Sequence, residues 1–160
     1  NNSLLRKIKT IVGSDSQLFL KKQGFLKNLR SVIDIKIKHK FYFVLIQPRA
    51  KCSTKVIYSN VRNLSKKEQF NKSLINSRKK LIKYLSKSRN DLQEIVERKY
   101  PAIKKILIDI ASEKGCYFSR MTGSGSVCYG LFEDKIVAKK AFNKLKKKYP
   151  KFWVSLAKTV

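Results

Sequence analysis

Six glycines occur in the 160 residues, and three of them, Gly123, Gly125 and Gly130, fall close together. The stretch Arg120-Met121-Thr122-Gly123-Ser124-Gly125-Ser126 suits a turn whose backbone approaches a ligand and aims N–H groups at an anion. Gly-x-Gly spacing serves a plain hairpin turn equally well. It is not a P-loop, because no Gly-Lys-Ser/Thr follows and no helix opens directly from it. A second chemical candidate is Asp15, which follows Ile11-Val12-Gly13-Ser14. A carboxylate just behind a helix stop can act as a base in a cleft, or simply bond its own backbone as a turn aspartate. Other chemistries are excluded. His39 is the sole histidine and sits among Lys36, Lys38 and Lys40, so it reads as a solvated strand-end residue and a Ser/His/Asp triad is untenable. Cys52, Cys116 and Cys128 are odd in number, widely spaced and without a Cys-x-x-Cys pair. That pattern fits reduced cytosolic thiols and argues against a disulfide scaffold or a zinc site.

The elements that must position these residues follow from hydrophobic spacing. Leu4, Leu5, Ile8, Ile11 and Val12 share one helical face, and Gly13 supplies the stop. Leu18-Phe19-Leu20 and Gly24-Phe25-Leu26 read as short strand pieces, and Ile33, Ile35 and Ile37 alternate with polar residues as a half-buried strand does. Phe41 to Ile46 is a continuous apolar run of strand length, stopped by Gln47-Pro48. The character from Ser53 to Glu113 is helical. Ser53-Thr54 caps a turn carrying Val56, Ile57 and Tyr58, and Ser65 with Glu68 has capping-box spacing. Leu74, Ile75, Leu81, Ile82 and Leu85 extend a helical stripe, Asn90 starts another helix, and Pro101 opens a third with Ile103, Ile106, Leu107 and Ile110 inward until Gly115. Tyr117 to Met121 and Val127 to Phe132 are strands around the glycine turn. Asp134 then caps a helix with Ile136, Val137, Ala141, Phe142 and Leu145, and Trp153 to Ala157 closes as a strand. From Phe41 onward this is the βαββαβ order of an α+β, ferredoxin-like layer with extra helices in its first crossover. Residues 1–40 read as the tail of a preceding domain, and 41–160 as the domain itself.

Size and charge bound the partners. A chain with 42% apolar and 11% aromatic residues can bury a core without disulfide or metal support. No run approaches the ~20 apolar residues of a membrane span. The opening Asn1-Asn2, with Met121 the sole methionine, predicts a fragment or processed piece. Lys and Arg number 38 against 10 Asp and Glu, a net charge of +28. Two causes produce such a balance: a polyanionic partner, or a codon bias that fills solvated positions with Lys. The arginines are few and unclustered, whereas nucleic-acid surfaces concentrate their charge and favour Arg forks. Lysine runs through nearly every segment, which fits bias better. A basic nucleic-acid-binding domain remains the reading from a different functional class.

Four stretches in order resemble the C-terminal domain of the GHMP kinase superfamily: Val12-Gly13-Ser14-Asp15, Ser53-Thr54-Lys55-Val56-Ile57-Tyr58, Asn90-Asp91-Leu92-Gln93 and Met121-Thr122-Gly123-Ser124-Gly125-Ser126. Pro101 and Trp153 also fall where that superfamily often has them. More narrowly they resemble its branch acting on a cytidyl-diphosphate substrate in non-mevalonate isoprenoid precursor synthesis. The resemblance implies an ATP- and Mg²⁺-dependent transfer of phosphate to a hydroxyl of a small molecule in the cytoplasm. It implies that Asp15 orients or deprotonates that hydroxyl. It places Thr54, Gly123, Ser124 and Gly125 at the substrate and phosphates, and it places Tyr58 on the cytidine ring. Tyr58 reads equally as an ordinary helix-face aromatic. Another GHMP kinase, for mevalonate or homoserine, is the alternative within the superfamily, and the Thr54–Tyr58 and Asn90–Leu92 stretches favour the cytidyl branch. Ser16-Gln17 stands where the family usually has Val-Pro, and no Gly-rich ATP loop precedes Asp15. The chain alone is expected to lack kinase activity, and three arrangements stay open: a chain that functions alone, one paired with a separately encoded N-terminal half, or the relic of a split gene. If the glycine turn approaches a ligand, Gly125→Ala is expected to keep near-normal stability and lose affinity.

Overall fold

The structure is a computed structural model describing residues 11, 24–28, 31–34, 39–62, 64–65 and 72–159. Strands β1 (Gly24–Asn28) and β2 (Ser31–Asp34) pair antiparallel, with an irregularity between Leu26 and Asn28. The apolar run near residue 41 becomes β3 (Tyr42–Gln47). Helix α1 (Thr54–Ser59), a 3₁₀ turn at Lys72–Asn76, and helices α2 (Arg78–Lys87), α3 (Gln93–Lys99) and α4 (Pro101–Ala111) fill the first crossover. Then follow β4 (Cys116–Met121), β5 (Cys128–Phe132), α5 (Lys135–Lys148) and β6 (Trp153–Lys158). β3 to β6 form one sheet in the order β4-β5-β3-β6, every neighbour antiparallel. That is the ferredoxin-like arrangement expected from the element order.

Period-two alternation divides the sheet residues between two cores. Val44, Ile46, Met121, Cys128 and Phe132 are buried on one face with Ile103, Ile106, Leu107 and Ile110 of α4 and Ala138, Ala141 and Leu145 of α5. Phe41 and Leu131 belong to the other face, where Leu81 and Ile82 of α2 cover them. Two small-residue contacts set how closely the helices approach. Ala138 and Ala141 are buried on α5. Gly130 lies on β5 so near α4 that a Cβ there would sit 2.3 Å from Ile110 Cγ2. Next to Ile110 on α4, Asp109 meets the end of α5: Tyr149 donates a hydrogen bond to its carboxylate, and Lys148 Nζ lies 2.7 Å from the same group.

Several sequence expectations need correction. Asp134 caps α5 by accepting hydrogen bonds from the N–H groups of Ile136 and Val137 at 2.7 and 3.0 Å. That cap fixes the helical phase so that Ala138, Ala141 and Leu145 face inward, leaving Ile136 67% exposed rather than in the core. Leu74 lies in the 3₁₀ turn and does not extend α2, because Ser77 intervenes as the α2 N-cap, its hydroxyl accepting from the Lys80 N–H. The helix after Asn90 begins only at Gln93, since the side-chain Oδ1 of Asn90 accepts from Leu92 N–H in a local turn. Ser65 bonds to Asp91, as described below, and Glu68, its expected capping partner, lies outside the described residues. So do Leu18–Leu20, Ile35, Ile37 and most of the expected opening helix, of which Ile11 is described and exposed. His39 is half-buried against Phe41, their ring centroids 6.0 Å apart, not freely solvated. No helix among the described residues is long and apolar enough to cross a membrane.

The Gly130 contact gives a direct test of this packing. Gly130→Ala is expected to destabilise the domain by ~1–3 kcal/mol through overpacking against Ile110. Urea unfolding of the single variant and of its combination with Ile110→Ala checks this, the second change restoring part of the loss relative to Ile110→Ala alone.

Candidate functional site

Helix α1 is anchored by Ile57, which is 1% exposed. Thr54 and Tyr58 are four residues apart and so share a helical face. Their surroundings bear this out. The hydroxyls of Thr54 and Ser124 share a hydrogen bond of 2.9 Å, and Tyr58 lines an open cleft of about 430 Å³ with Leu64, Arg89, Asn90, Thr122 and Gly123. The structure thus brings the two widely separated sequence stretches, the α1 segment and the glycine turn, to one place. Tyr58 is 58% exposed, so its ring is available to a ligand. Asp15 lies outside the described residues.

The glycine turn connects β4 to β5. Thr122 N–H donates to the Val127 carbonyl at 2.9 Å, and Gly125 N–H donates to the Thr122 carbonyl at 3.1 Å. Gly123 has φ +54° and Gly125 φ +92°, both in the left-handed region that glycine tolerates best. The N–H groups of Gly123 and Ser124 donate to no described group, which leaves two successive donors for an anion. The two glycines differ in what surrounds them. A Cβ on Gly123 would meet nothing within 4 Å, whereas one on Gly125 would sit 2.9 Å from Met121 Sδ and 3.3 Å from Cys52 Sγ. Gly125 therefore faces the interior, and the expectation that Gly125→Ala spares stability is overturned by that contact and by its positive φ.

Side chains from the α2–α3 junction hold this turn. The Asn90 amide N–H₂ donates to the Met121 carbonyl at 2.9 Å and to the Gly123 carbonyl at 2.8 Å. Gln93 accepts from Met121 N–H at 2.9 Å and donates to Glu97 at 2.7 Å. Arg120, on β4, donates to the carbonyls of Leu85 and Ser88 at the end of α2, and its guanidinium lies 4.7 Å from the Phe118 ring centre. Asp91 accepts from the Ser65 N–H at 2.8 Å and from the Ser65 hydroxyl. Those two bonds, the hydroxyl first, hold its carboxyl below the usual range against the opposing effect of burial, with Arg89 helping. Sequence reasoning had Asn90 and Gln93 only as part of a family-like stretch. Their task is invisible in a linear reading, because their partners are carbonyl and N–H groups some thirty positions away.

Burial pushes the thiols of Cys116 and Cys128 up to about 11 and about 12, and raises that of Cys52 despite the opposing pull of Lys99. Nucleophilic thiol chemistry at neutral pH needs the reverse shift. No three His, Cys, Asp or Glu side chains gather around one point among the described residues.

Residues 67–151 match the family "GHMP kinases C terminal". The chain belongs to that family. It is 35% identical over 158 residues to 4-diphosphocytidyl-2-C-methyl-D-erythritol kinase of Pelagibacter ubique (strain HTCC1062), a match covering 97% of this chain and 54% of that protein. A crystal structure of 4-(cytidine 5'-diphospho)-2C-methyl-D-erythritol kinase shares the fold at TM-score 0.62 and 20% identity, over 79% of this chain and 46% of that one. Homoserine kinase from Cytophaga hutchinsonii also shares it, at TM-score 0.52 and 15% identity, over 81% of this chain and 44% of that one. The chain spans about half the length of the curated relatives it matches.

The Asp91–Ser65 pair predicts a pH dependence. A carboxyl whose pKa is lowered by folding adds stability above its ordinary range, and that stability disappears as pH falls through the folded value. Asp91→Asn is therefore expected to lower stability at pH 7, with the gap from the parent chain closing below about pH 4. Urea unfolding across that pH series checks it.

Proposed function

We propose that this chain forms the C-terminal part of an ATP-dependent kinase acting on the 2-hydroxyl of 4-diphosphocytidyl-2-C-methyl-D-erythritol, in non-mevalonate isoprenoid precursor biosynthesis. The observation that carries this reading is the meeting of α1 with the glycine turn through the Thr54–Ser124 hydrogen bond. That contact puts an exposed tyrosine and two unspent backbone donors beside one cleft. The match over 97% of this chain to about half of a relative of that name supports the substrate assignment. An aromatic face holds a base with little entropic cost, so Tyr58 would take the cytosine ring. Thr54 and Ser124 would offer hydroxyls to the ribose–diphosphate portion, and the N–H groups of Gly123 and Ser124 would meet anionic oxygen. Gly125 would keep the turn in shape from beneath.

Phosphoryl transfer needs chiefly positioning and charge stabilisation. In this reading residues 1–40 complete an N-terminal ATP-binding domain, 41–160 form the substrate-side domain, and Asp15 orients or deprotonates the attacking hydroxyl between them. ATP's phosphates and Mg²⁺ would be held by an N-terminal half working with this chain in the cytoplasm. No step through the metal is assigned to the described residues.

Two tests bear on this reading. In an enzyme combining this chain with an N-terminal half, Asp15→Asn is expected to lower kcat ~10²-fold or more with KM little changed. Retained turnover would return Asp15 to a turn role. Gly123→Ala is expected to cost ~1 kcal/mol of stability from its positive φ and to weaken substrate binding clearly, because its methyl would stand beside the unspent donors. Gly125→Ala is expected to lose more stability, through Met121 and Cys52. Melting temperature and ligand titration on the same samples separate the two.

A further inference from the structure

The cleft beside Tyr58 and Gly123 holds a cation that none of the roles above uses. Arg89 lines it, its side chain 77% exposed. One edge of the guanidinium is fixed. Arg89 Nε donates to Ser65 Oγ at 2.8 Å and lies 3.5 Å from Asp91 Oδ1. Ser65 in turn gives its hydroxyl and N–H to Asp91, so both members of the anchor are themselves held. The two terminal amino groups of Arg89 donate to no described residue, and the backbone beside it is set by the Asn90 bonds to the glycine turn. The other ionised group of the cleft, Asp91, already accepts at both carboxylate oxygens. A guanidinium pinned at Nε presents its remaining donors as a fork, the geometry that matches paired phosphate oxygens.

We propose that Arg89 is a ligand for the diphosphate of a nucleoside diphosphate whose base lies on Tyr58. The inference rests on the cleft being the nucleotide subsite proposed above, and adds to it the residue that tells a charged nucleotide from its uncharged nucleoside. Tyr58 and the turn hydroxyls bind either form. Arg89 and the turn N–H groups gain only when phosphate is present.

The test is the ratio of affinities for CDP and cytidine, titrated calorimetrically into the full chain at ~0.15 M salt so that the diffuse field of a +28 protein is largely screened. Arg89→Gln is expected to weaken CDP about five- to tenfold and cytidine less than twofold, with Arg89→Lys intermediate because it keeps the charge and loses the fork. Unchanged cytidine affinity doubles as proof that the variant's cleft is intact. Lys147→Gln, on a helix that does not line the cleft, is expected to leave the ratio alone. An equal effect of Lys147→Gln and Arg89→Gln would reduce Arg89 to one more contributor to the general field and overturn the proposal. So would an unchanged ratio in Arg89→Gln. If Tyr58→Ala still weakens both ligands in that case, the nucleotide subsite survives without Arg89. If neither ligand binds saturably, or Tyr58→Ala changes neither, the subsite and the proposal fall together.

Discussion

One side-chain amide joins the two halves of the site. Asn90 leaves α2, turns into α3 by accepting from Leu92 N–H, and spends both amide hydrogens on the carbonyls of Met121 and Gly123. Those carbonyls bracket the entry to the glycine turn, so their orientation sets where the neighbouring N–H groups point. Hydrogen bonds of this kind contribute only ~1 kcal/mol each to net stability, but their geometric effect is larger than their energy. A hairpin turn with two left-handed glycines has many accessible shapes, and the Asn90 bridge with Gln93 selects one. Arg120 works in the reverse direction, reaching from β4 to the last carbonyls of α2. The junction and the turn are thereby tied from both sides.

That arrangement needs a rigid floor, which the sheet supplies. β5 is the central element, paired to β3 and β4 and close enough to α4 that only glycine fits at position 130. Close packing of this sort transmits displacement instead of absorbing it. A shift of α4 would be felt at β5, and through β5 at the glycine turn that leads directly into it. The Tyr149–Asp109–Lys148 contacts fasten the end of α5 to α4 at Asp109, the residue next to Ile110, so the last turn of α4 is held by both β5 and α5.

Much of this was legible in the sequence, for specific reasons. The α4 stripe Ile103, Ile106, Leu107 and Ile110 has ideal helical spacing, and all four are buried. Asp134 reads as an N-cap and is one. The phase of α5 was not legible, since Ile136 and Val137 outrank Ala138 in hydrophobicity and only the cap decides which residue faces inward. At the site, Tyr58, Thr54, Gly123 and Ser124 were singled out by residue type and by resemblance to the family. The residues that hold them were harder to see. Asn90, Gln93, Arg89 and Arg120 act on backbone groups or on a serine far away in the chain, and such pairings leave no periodic signal. The inward-facing role of Gly125 was likewise hidden, because it depends on Met121 and Cys52 packing beneath it.

The net charge of +28 acts on a different scale from these contacts. With 38 basic and 10 acidic residues, most lysines have no carboxylate to pair with and face water. Lys144 with Glu113 at 2.9 Å and Lys148 with Asp109 at 2.7 Å are among the pairs that do form. A diffuse positive field raises the encounter rate of every anion, whether or not it fits. It cannot choose among nucleotides, because it falls off with salt and carries no geometry. In the proposed nucleotide subsite, selectivity would come from the exposed Tyr58 ring and from groups already held in place: the Thr54–Ser124 hydroxyl pair, the two turn N–H groups, and a guanidinium pinned through Ser65 and Asp91. The carboxylate of Asp91 lowers the cleft's total positive charge, yet its bonds to Ser65 are what hold the Arg89 anchor. Precision of placement is gained there at the expense of raw attraction, a sensible exchange in a protein that has attraction in excess.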